Sequence, residues 1–284
     1  MRAAMTDTNG YERDHGRASA FRGHVIAIAN QKGGTGKTTT AVNLAAGLAL
    51  KGCRVLLVDA DPQAHATKHL GVADPEVTLQ HVMEGRVLAV EATYATDVEG
   101  LYLIASSIEL SHYEARLVGE VGRETLLREA LQPIRPHVDF VLIDCPPSLD
   151  ILTINALVAA HEVFVVSQSE YLSLDGVGRL EDTVALIRKR LNPELRIGGI
   201  VLAMHSERTL LGREVKGLLE ARFPGRVFET VIRRNVRLAE APSHGKPIQL
   251  YAPTSPGAED YNRLAEEVLQ RCRRSAPASW ATTR

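Results

Sequence analysis

The sequence predicts an α/β fold in a single domain, a doubly wound, mostly parallel sheet flanked by helices. Three observations lead to this prediction. A glycine-rich loop lies between a short β-branched run and a stretch with apolar residues at helical spacing. Further along, short apolar runs alternate with helical patterns, without a repeat of fixed period. Two of the apolar runs lead into aspartates, and parallel sheets bind their ligands at the carboxyl ends of the strands.

Composition limits the classes of protein to consider. The chain has 284 residues, enough for one large domain with its own core. Its formal net charge is −1, so binding to nucleic acid would require a local basic patch. No apolar run approaches membrane-spanning length, and no secretory leader is recognisable. We therefore expect a cytoplasmic protein with three reduced cysteines that lack metal-ligand spacing, namely Cys53, Cys145 and Cys272.

The chain divides into a domain and two tails. Residues 1–22 are polar and have no periodic apolar pattern, which predicts a disordered amino-terminal tail. Residues 23–272 form the predicted domain, and residues 273–284 are expected to be a frayed tail. Within the domain the patterns predict strands at 24–29, 53–58, 101–106, 140–144, 162–166 and 197–204, and helices at 41–50, 124–131, 154–160, 178–190 and 257–271.

The stretch 30–40, Asn-Gln-Lys-Gly-Gly-Thr-Gly-Lys-Thr-Thr-Thr, has the context of a phosphate-binding loop, with a strand before it and a helix after it. Glycines let successive backbone N–H groups turn towards an anion, and the start of the helix adds partial positive charge. The usual pattern is incomplete because Gln31 occupies the position of its first glycine. An ordinary glycine turn is the alternative, and the flanking strand and helix disfavour it. The residues expected to bind the nucleotide are Lys32, Gly33, Gly34, Thr35, Gly36, Lys37, Thr38 and Thr39.

Two lysines in this loop have different expected roles. Lys37 is placed to reach the β- and γ-phosphates, and the hydroxyl of Thr38 is placed to bind Mg²⁺. Lys32 is an unusual addition to the pattern. It could be a solvated surface charge, as most loop lysines are, or it could reach a phosphate that belongs to a second subunit.

Three aspartates complete the predicted site. Asp59 and Asp61 follow the strand at 53–58, and Asp144 ends the strand at 140–144. Carboxylates in these positions lie beside the ligand crevice of a parallel sheet, and Asp144 is therefore a candidate to hold Mg²⁺ through a bound water. Two helix-capping aspartates are the alternative for Asp59 and Asp61, and the order Asp-Ala-Asp-Pro-Gln makes this alternative weaker.

These motifs support a resemblance to a known family. The loop Lys-Gly-Gly-Thr-Gly-Lys-Thr-Thr at 32–39 resembles the deviant P-loop of the ParA/MinD group of ATPases, and residues 59–63 and 144–148 are similar to the family's later motifs. The Asn30-Gln31 pair resembles the ParA branch, whereas MinD-type proteins tend to have glycine at the position of Gln31. The resemblance covers residues 25–270 and implies a deviant P-loop NTPase fold with ATP and Mg²⁺ as ligands.

The resemblance also implies roles for individual residues. Lys32 would cross a dimer interface to the partner's nucleotide and act in catalysis together with Lys37. Asp59 would hold Mg²⁺ through water, with Thr38 and Asp144 as the other metal-binding residues. Asp61 would orient the attacking water.

Residues 230–242 form a basic segment in a chain that is nearly neutral, with Arg233, Arg234 and Arg237 close together. Charge patterning alone leaves a solvated charged face as an equal alternative. The segment is similar to the ParA stretch that closes over the nucleotide base and leads to the DNA-binding surface. This similarity implies that Asn235 contacts ATP and that Arg208 and Arg237 contact DNA phosphate, and Arg234 is a further candidate. Arg233 occupies a usual proline position, which could alter the loop beside the base or add a DNA contact.

The function implied by the resemblance is an ATP-dependent switch. ATP would drive homodimerisation, the dimer would bind duplex DNA without sequence preference, and a ParB-type partner would stimulate slow hydrolysis. The cycle would segregate chromosomes or plasmids on the nucleoid.

Two other functions are considered. A MinD-like, membrane-associated positioning ATPase would need an amphipathic last helix, but the apolar stripe there is predicted to pack in the core. The apolar stripe of this last helix consists of Tyr261, Leu264, Val268 and Leu269.

A metal-cluster protein that resembles the nitrogenase iron protein would need paired cysteines that bridge a dimer.

Overall fold

The structure is a computed structural model that describes residues 21, 23–170 and 173–275. Most of the two predicted tails therefore lies outside the described residues. Phe21 is buried, with its ring 5.0 Å from that of Phe140, and the last helix continues to Ser275. The packed elements thus extend slightly beyond the predicted bounds of 23–272 at both ends.

The described residues form the following elements in chain order. They are β1 (His24–Ala29), α1 (Lys37–Leu50), β2 (Val55–Asp59), α2 (His65–His69), α3 (Leu79–Met83), β3 (Thr93–Ala95), β4 (Leu101–Ile104), α4 (Glu109–Arg116), α5 (Leu126–Leu131), β5 (Phe140–Asp144), α6 (Ile151–Ala159), β6 (Glu162–Gln168), α7 (Ser173–Arg190), β7 (Arg196–Ala203), α8 (Leu210–Arg222), α9 (Val236–Glu240), α10 (Ile248–Tyr251) and α11 (Pro256–Ser275). Short 3₁₀ turns lie at Leu117–Gly119, Arg135–His137 and Ala241–His244.

Within the described residues, the strands form one seven-stranded sheet in the order β3-β4-β2-β5-β1-β6-β7. Neighbouring strands are parallel except β3 and β4, which are antiparallel. Helix α1 packs on one face of the sheet and helix α6 on the other. The prediction of a doubly wound, mostly parallel sheet is therefore confirmed.

The apolar runs are continuous because both faces of the sheet are covered. In β1, Val25 and Ala27 face one core cluster, whereas Ile26 and Ile28 face the other. Successive side chains of a strand point to opposite faces, so a strand between two layers of helices has no position for a polar residue. This arrangement places the polar residues of the sheet at the ends of the strands.

The last helix, α11, is part of the core. The stripe of Tyr261, Leu264, Val268 and Leu269 is buried in the same cluster as the apolar side of α1. The Tyr261 hydroxyl also lies 3.1 Å from that of Thr40, at the start of α1. The prediction that this stripe packs in the core is confirmed. No helix in the described part of the chain is long and apolar enough to cross a bilayer.

Strand β3 and helix α8 are two of the elements that the sequence patterns did not predict. Strand β3 is a three-residue antiparallel edge, too short to show a period. Helix α8 buries Gly212, Val215 and Leu219, but its first residues, Leu210 and Leu211, are exposed and obscure the apolar stripe. Neither element contributes to the edge of the sheet where β1, β2 and β5 end.

Candidate functional site

The glycine loop leaves β1 and enters α1 with an open concave surface. Gly34 and Gly36 have φ angles of 71° and 92°, in the left-handed region that disfavours other residues. A Cβ added to Gly33 or Gly34 would meet no atom within 4 Å. The loop therefore has the curled backbone that the glycine pattern predicts, with open space beside Gly33 and Gly34.

Lys37 lies inside the loop. Its side chain is buried, and its Nζ donates to the carbonyl oxygen of Lys32 at 3.1 Å. Burial lowers the pKa of Lys37, and the carboxylates of Asp144 and Asp61 oppose this effect. A buried cation at the centre of a glycine loop is suited to bind the phosphates of a nucleotide.

The end of β6 holds the loop in place. The side chain of Asn30 accepts a hydrogen bond from the N–H of Lys32 at 2.9 Å and donates to the carbonyl oxygen of Val166 at 2.6 Å. The Gln168 side chain donates to the carbonyl oxygen of Gly34 at 2.8 Å. The sequence analysis assigned no role to Asn30 or Gln168, because only the tertiary structure brings β6 beside the loop.

Lys32 differs from Lys37 in its surroundings. Its side chain is 46% exposed, and its Nζ forms an ion pair with Glu170 at 2.6 Å. An exposed pair of this kind contributes only about 0–1 kcal/mol to stability, so it exchanges readily for another partner. The two lysines of one loop thus have separate environments, one enclosed and one open to solvent.

Asp59 and Asp144 lie side by side. They are register partners at the carboxyl ends of β2 and β5, and both are fully buried. Asp59 Oδ2 accepts from both the N–H and the hydroxyl of Thr67, at 2.8 and 2.7 Å, and Oδ1 accepts from the N–H of Asp61 at 3.2 Å. Neither oxygen of Asp144 has a hydrogen-bond partner with normal geometry among the described residues.

The pKa of Asp144 is raised well above its usual value, chiefly by burial and then by the charge of Asp59. Burial likewise raises the pKa of Asp59, and its hydrogen bonds with Thr67 oppose the shift. The Thr38 hydroxyl is close enough to lower the pKa of Asp144, although no hydrogen bond of normal geometry joins them. Two neighbouring carboxylates, one of them without a partner, and a hydroxyl form an oxygen donor set that fits Mg²⁺.

Asp61 completes the group. It lies in the turn after β2, where its Oδ1 accepts from the N–H of Gln63 at 2.9 Å. Its charge contributes to the raised pKa of both Asp59 and Asp144. The structure therefore brings Lys37 and the three predicted aspartates together at one edge of the sheet. Cys145 is buried as a small apolar group, and this burial raises the pKa of its thiol.

The basic segment lies beside a separate cleft of about 540 Å³. Arg208 and Arg234 line this cleft, are exposed, and have no ion-pair partner in the described part of the chain. Arg237 is also exposed but pairs with Glu240 at 2.8 Å. Asn235 uses its side-chain oxygen to cap α9, where it accepts from the N–H of Arg237 at 2.9 Å. Two of the three predicted DNA-contacting arginines therefore share one surface.

Arg233 points to the last helix. Its backbone N–H donates to Asp260 at 2.9 Å, and its guanidinium pairs with Asp260 at 2.7 Å and Glu259 at 2.6 Å. Asp260 has no exposed surface, so this pairing satisfies a buried charge. Arg233 also lines the cleft with Arg208 and Arg234, and its side chain is 43% exposed. An added DNA contact by Arg233 therefore stays a prediction. A proline would lack both the N–H and the charge.

The unpaired carboxylate of Asp144 leads to a prediction about stability. The folded-state pKa of Asp144 is raised above the unfolded value of about 3.9. The contribution of this side chain to the free energy of unfolding is therefore fully present below that pH and is lost as the pH rises. At pH 7 to 8 the charge destabilises the metal-free protein, and Asp144→Asn should raise its unfolding free energy by about 1–2 kcal/mol. Thermal unfolding across pH, without nucleotide, measures this, and the gain should shrink towards pH 4.

Asp139 provides the matched control, at the opposite end of the same strand. Its Oδ2 accepts from the N–H of Arg54 at 2.6 Å, so Asp139→Asn should not stabilise the protein. Nucleotide binding with Mg²⁺ should be lost only in Asp144→Asn. If Asp144→Asn lowers the unfolding temperature at pH 7 to 8, the assignment of an uncompensated charge to this site is wrong.

Comparisons with known proteins agree with this geometry. A family described as an AAA domain matches residues 23–197. The chain is 51% identical over 246 residues to the chromosome-partitioning ATPase Soj of Thermus thermophilus, covering 87% of this chain and 95% of that protein. It is 45% identical over 251 residues to the chromosome partitioning protein ParA of Caulobacter vibrioides, covering 87% and 94%.

A solved structure shares both the fold and much of the sequence. The cobyrinic acid a,c-diamide synthase of Mycobacterium smegmatis, with bound ATP analogue and magnesium, is 37% identical with a TM-score of 0.75, covering 87% of this chain and 94% of that one. Its identity is lower than that of the two partitioning proteins, each of which is matched over nearly its full length. The chain belongs to the ParA/Soj family of chromosome-partitioning ATPases.

Proposed function

We propose that the protein is an ATP-dependent dimerising switch that binds duplex DNA without sequence preference and segregates chromosomes or plasmids with a ParB-type partner. The observation that carries this proposal is the separation of the two loop lysines. Lys37 is enclosed in its own loop, whereas the exposed side chain of Lys32 pairs with Glu170 at the surface. A second subunit can reach Lys32 without disturbing the loop.

Different residues of one subunit would bind the nucleotide, hold the metal and act in hydrolysis. The loop N–H groups from Gly33 to Thr38 and the ammonium of Lys37 would bind the triphosphate of ATP. Asp144, Asp59 and the Thr38 hydroxyl would hold Mg²⁺, which when bound neutralises charge on the phosphate oxygens. Asp61, at the same edge of the sheet, would orient the attacking water.

Dimerisation would use Lys32, the exposed lysine of the glycine loop. Lys32 would exchange its exposed pairing with Glu170 for the phosphates of the partner's ATP. A charge-assisted hydrogen bond to phosphate is stronger than an exposed ion pair, so this exchange favours the dimer only while a triphosphate is present. Loss of the γ-phosphate would then return Lys32 to Glu170 and separate the subunits.

The arginine cleft would supply the contacts with DNA. Arg208 and Arg234 already share one exposed surface and form no ion pair within the part of the chain that the structure describes. Arg237 lies a few residues further on. Contacts with phosphate carry no sequence information and add strongly in a dimer, because two copies of the surface bind one duplex.

DNA retention tests this function directly. The protein with ATP should retain duplex DNA of unrelated sequence, and the protein with ADP or without nucleotide should not. Arg208→Glu or Arg234→Glu should weaken DNA binding by about 10-fold or more. Each change should also reduce the slope of log affinity against log salt concentration by about 2 per dimer, one for each lost phosphate contact. Arg237→Glu is expected to lose DNA binding in the same direction, while ATP binding is unchanged in all three variants.

Arg190→Glu is the matched control. Arg190 is an exposed arginine at the end of α7, near the opposite edge of the sheet, and its reversal changes net charge by the same amount. Its DNA binding should be close to that of the wild type. DNA retention that is equal with ATP and ADP would contradict the switch, and unchanged binding in the cleft variants would contradict the arginine assignment.

The nucleoid and a ParB-type protein follow as the expected location and partner of this function. Stimulation of ATP hydrolysis by such a protein, measured with DNA present, tests the partnership. A MinD-like function predicts ATP-dependent sedimentation with liposomes that requires the last helix. The buried stripe on α11 disfavours this alternative, because its apolar side chains already pack against α1.

A further inference from the structure

A second group of potential ligands lies at the opposite edge of the sheet from the nucleotide loop. His24 begins β1, Glu162 begins β6, and Cys272 lies near the end of α11. One donor atom from each residue lies within 4.8 Å of the other two. The three residues are 8%, 6% and 7% exposed, so they are almost enclosed but remain reachable from solvent.

The surrounding residues hold two of these side chains in place. Arg196 Nε donates to Glu162 Oε1 at 2.9 Å, which leaves Oε2 directed to His24 at 3.7 Å. The ring of His161 stacks on that of His24, with centroids 5.1 Å apart and an interplanar angle of 11°. A Cβ at Gly198 would collide with Glu162 Oε2, so glycine at this position makes room for the carboxylate.

We propose that His24, Glu162 and Cys272 form a binding site for a divalent cation of the zinc class, independent of the nucleotide site. Imidazole, thiolate and carboxylate are the donors that zinc prefers, whereas Mg²⁺ prefers oxygen alone. Two such ligands around one tetrahedral zinc lie about 3.3 Å apart, so the 3.7 Å between His24 and Glu162 requires only a small adjustment. Water would complete the coordination.

A cation here would join three parts of the chain that are distant in sequence. It would connect the starts of β1 and β6 to the last turns of α11. Because the unfolded chain lacks the preformed site, binding would raise the thermal stability of the protein. Arg196 is a positioning residue, and Arg196→Gln should weaken binding by about 10- to 100-fold, as expected for residues that orient metal ligands.

Cobalt titration of the full-length protein tests the proposal. The chelator-treated protein, without nucleotide and with excess Mg²⁺, is titrated with Co²⁺ while thiolate-to-cobalt absorption is recorded. We expect saturation at one cobalt per chain, displacement by Zn²⁺, and a rise in unfolding temperature with Zn²⁺. Cys272→Ser should abolish the thiolate band, and His24→Gln should weaken binding.

Cys53→Ser is the matched control, because Cys53 is a half-buried cysteine outside the group and its replacement should leave the thiolate band unchanged. The absence of a thiolate band in the wild type would overturn the proposal, as would a band that survives in Cys272→Ser. In that case His24, Glu162 and Arg196 form only an ion-paired network. If Cys272→Ser fails to fold, the absence of a band in the wild type still overturns the proposal, and a band that survives in Cys53→Ser but weakens in His24→Gln supports it.

Discussion

Lys37→Ala is expected to abolish measurable ATP binding, with a loss of about 100-fold or more in affinity. Lys37 is the buried cation of the glycine loop, and its Nζ lies against the carbonyl oxygen of Lys32 until a phosphate replaces that contact. A charged hydrogen bond contributes about 1.5–3 kcal/mol, and Lys37 can make more than one to a triphosphate. Calorimetric titration with a non-hydrolysable ATP analogue and Mg²⁺ measures the change.

The second loop lysine provides the contrast. Lys32→Ala should bind the analogue within a few-fold of the wild type but remain monomeric, since it removes the exposed pair with Glu170 and the proposed cross-subunit contact but leaves Lys37 in place. Glu170→Gln should bind the analogue and dimerise, because it removes only the pairing that holds Lys32 in its own subunit. Light scattering with and without the analogue gives the particle mass. A Lys32→Ala protein that dimerises normally would show that Lys32 has no role across the interface.

Asp61→Asn is expected to lower the rate of ATP hydrolysis by about 100-fold or more, the usual contribution of a group that positions or activates water. Asparagine keeps an oxygen that can accept the N–H of Gln63, so the turn after β2 is preserved while the charge is lost. ATP binding should remain, and the protein should stay on DNA after ATP addition for much longer than the wild type. Single-turnover hydrolysis and a DNA-release time course measure the two effects.

Asp74→Ala serves as the comparison for this effect. Asp74 is an exposed aspartate in the loop that follows α2, and its removal should leave hydrolysis unchanged. If Asp61→Asn hydrolyses ATP at the wild-type rate, another group must orient the water. If the Asp61→Asn variant fails to bind ATP, Asp61 instead helps to hold the nucleotide or the metal, and the roles proposed for the three aspartates are wrong.

The sequence alone was sufficient to predict the sheet, the loop and the acidic group. Residues 30–40 carry a local pattern in which the glycines, Lys37 and the adjacent strand and helix are contiguous, so the prediction needs no knowledge of distant contacts. Asp59 and Asp144 were predictable for a related reason. A parallel sheet places the carboxyl ends of its strands at one edge, and the observed register makes these two residues direct neighbours.

The tertiary structure decided what surrounds these residues. Thr67 holds Asp59, and Glu170 pairs with Lys32, whereas Asp144 accepts no hydrogen bond of normal geometry from the described residues. These differences depend on side chains brought together from distant segments. Arg233 illustrates the same limit, since only the structure shows that its guanidinium pairs with the buried Asp260. Local patterns determine which backbone forms, whereas long-range packing determines which charges are paired, buried or left available for a ligand.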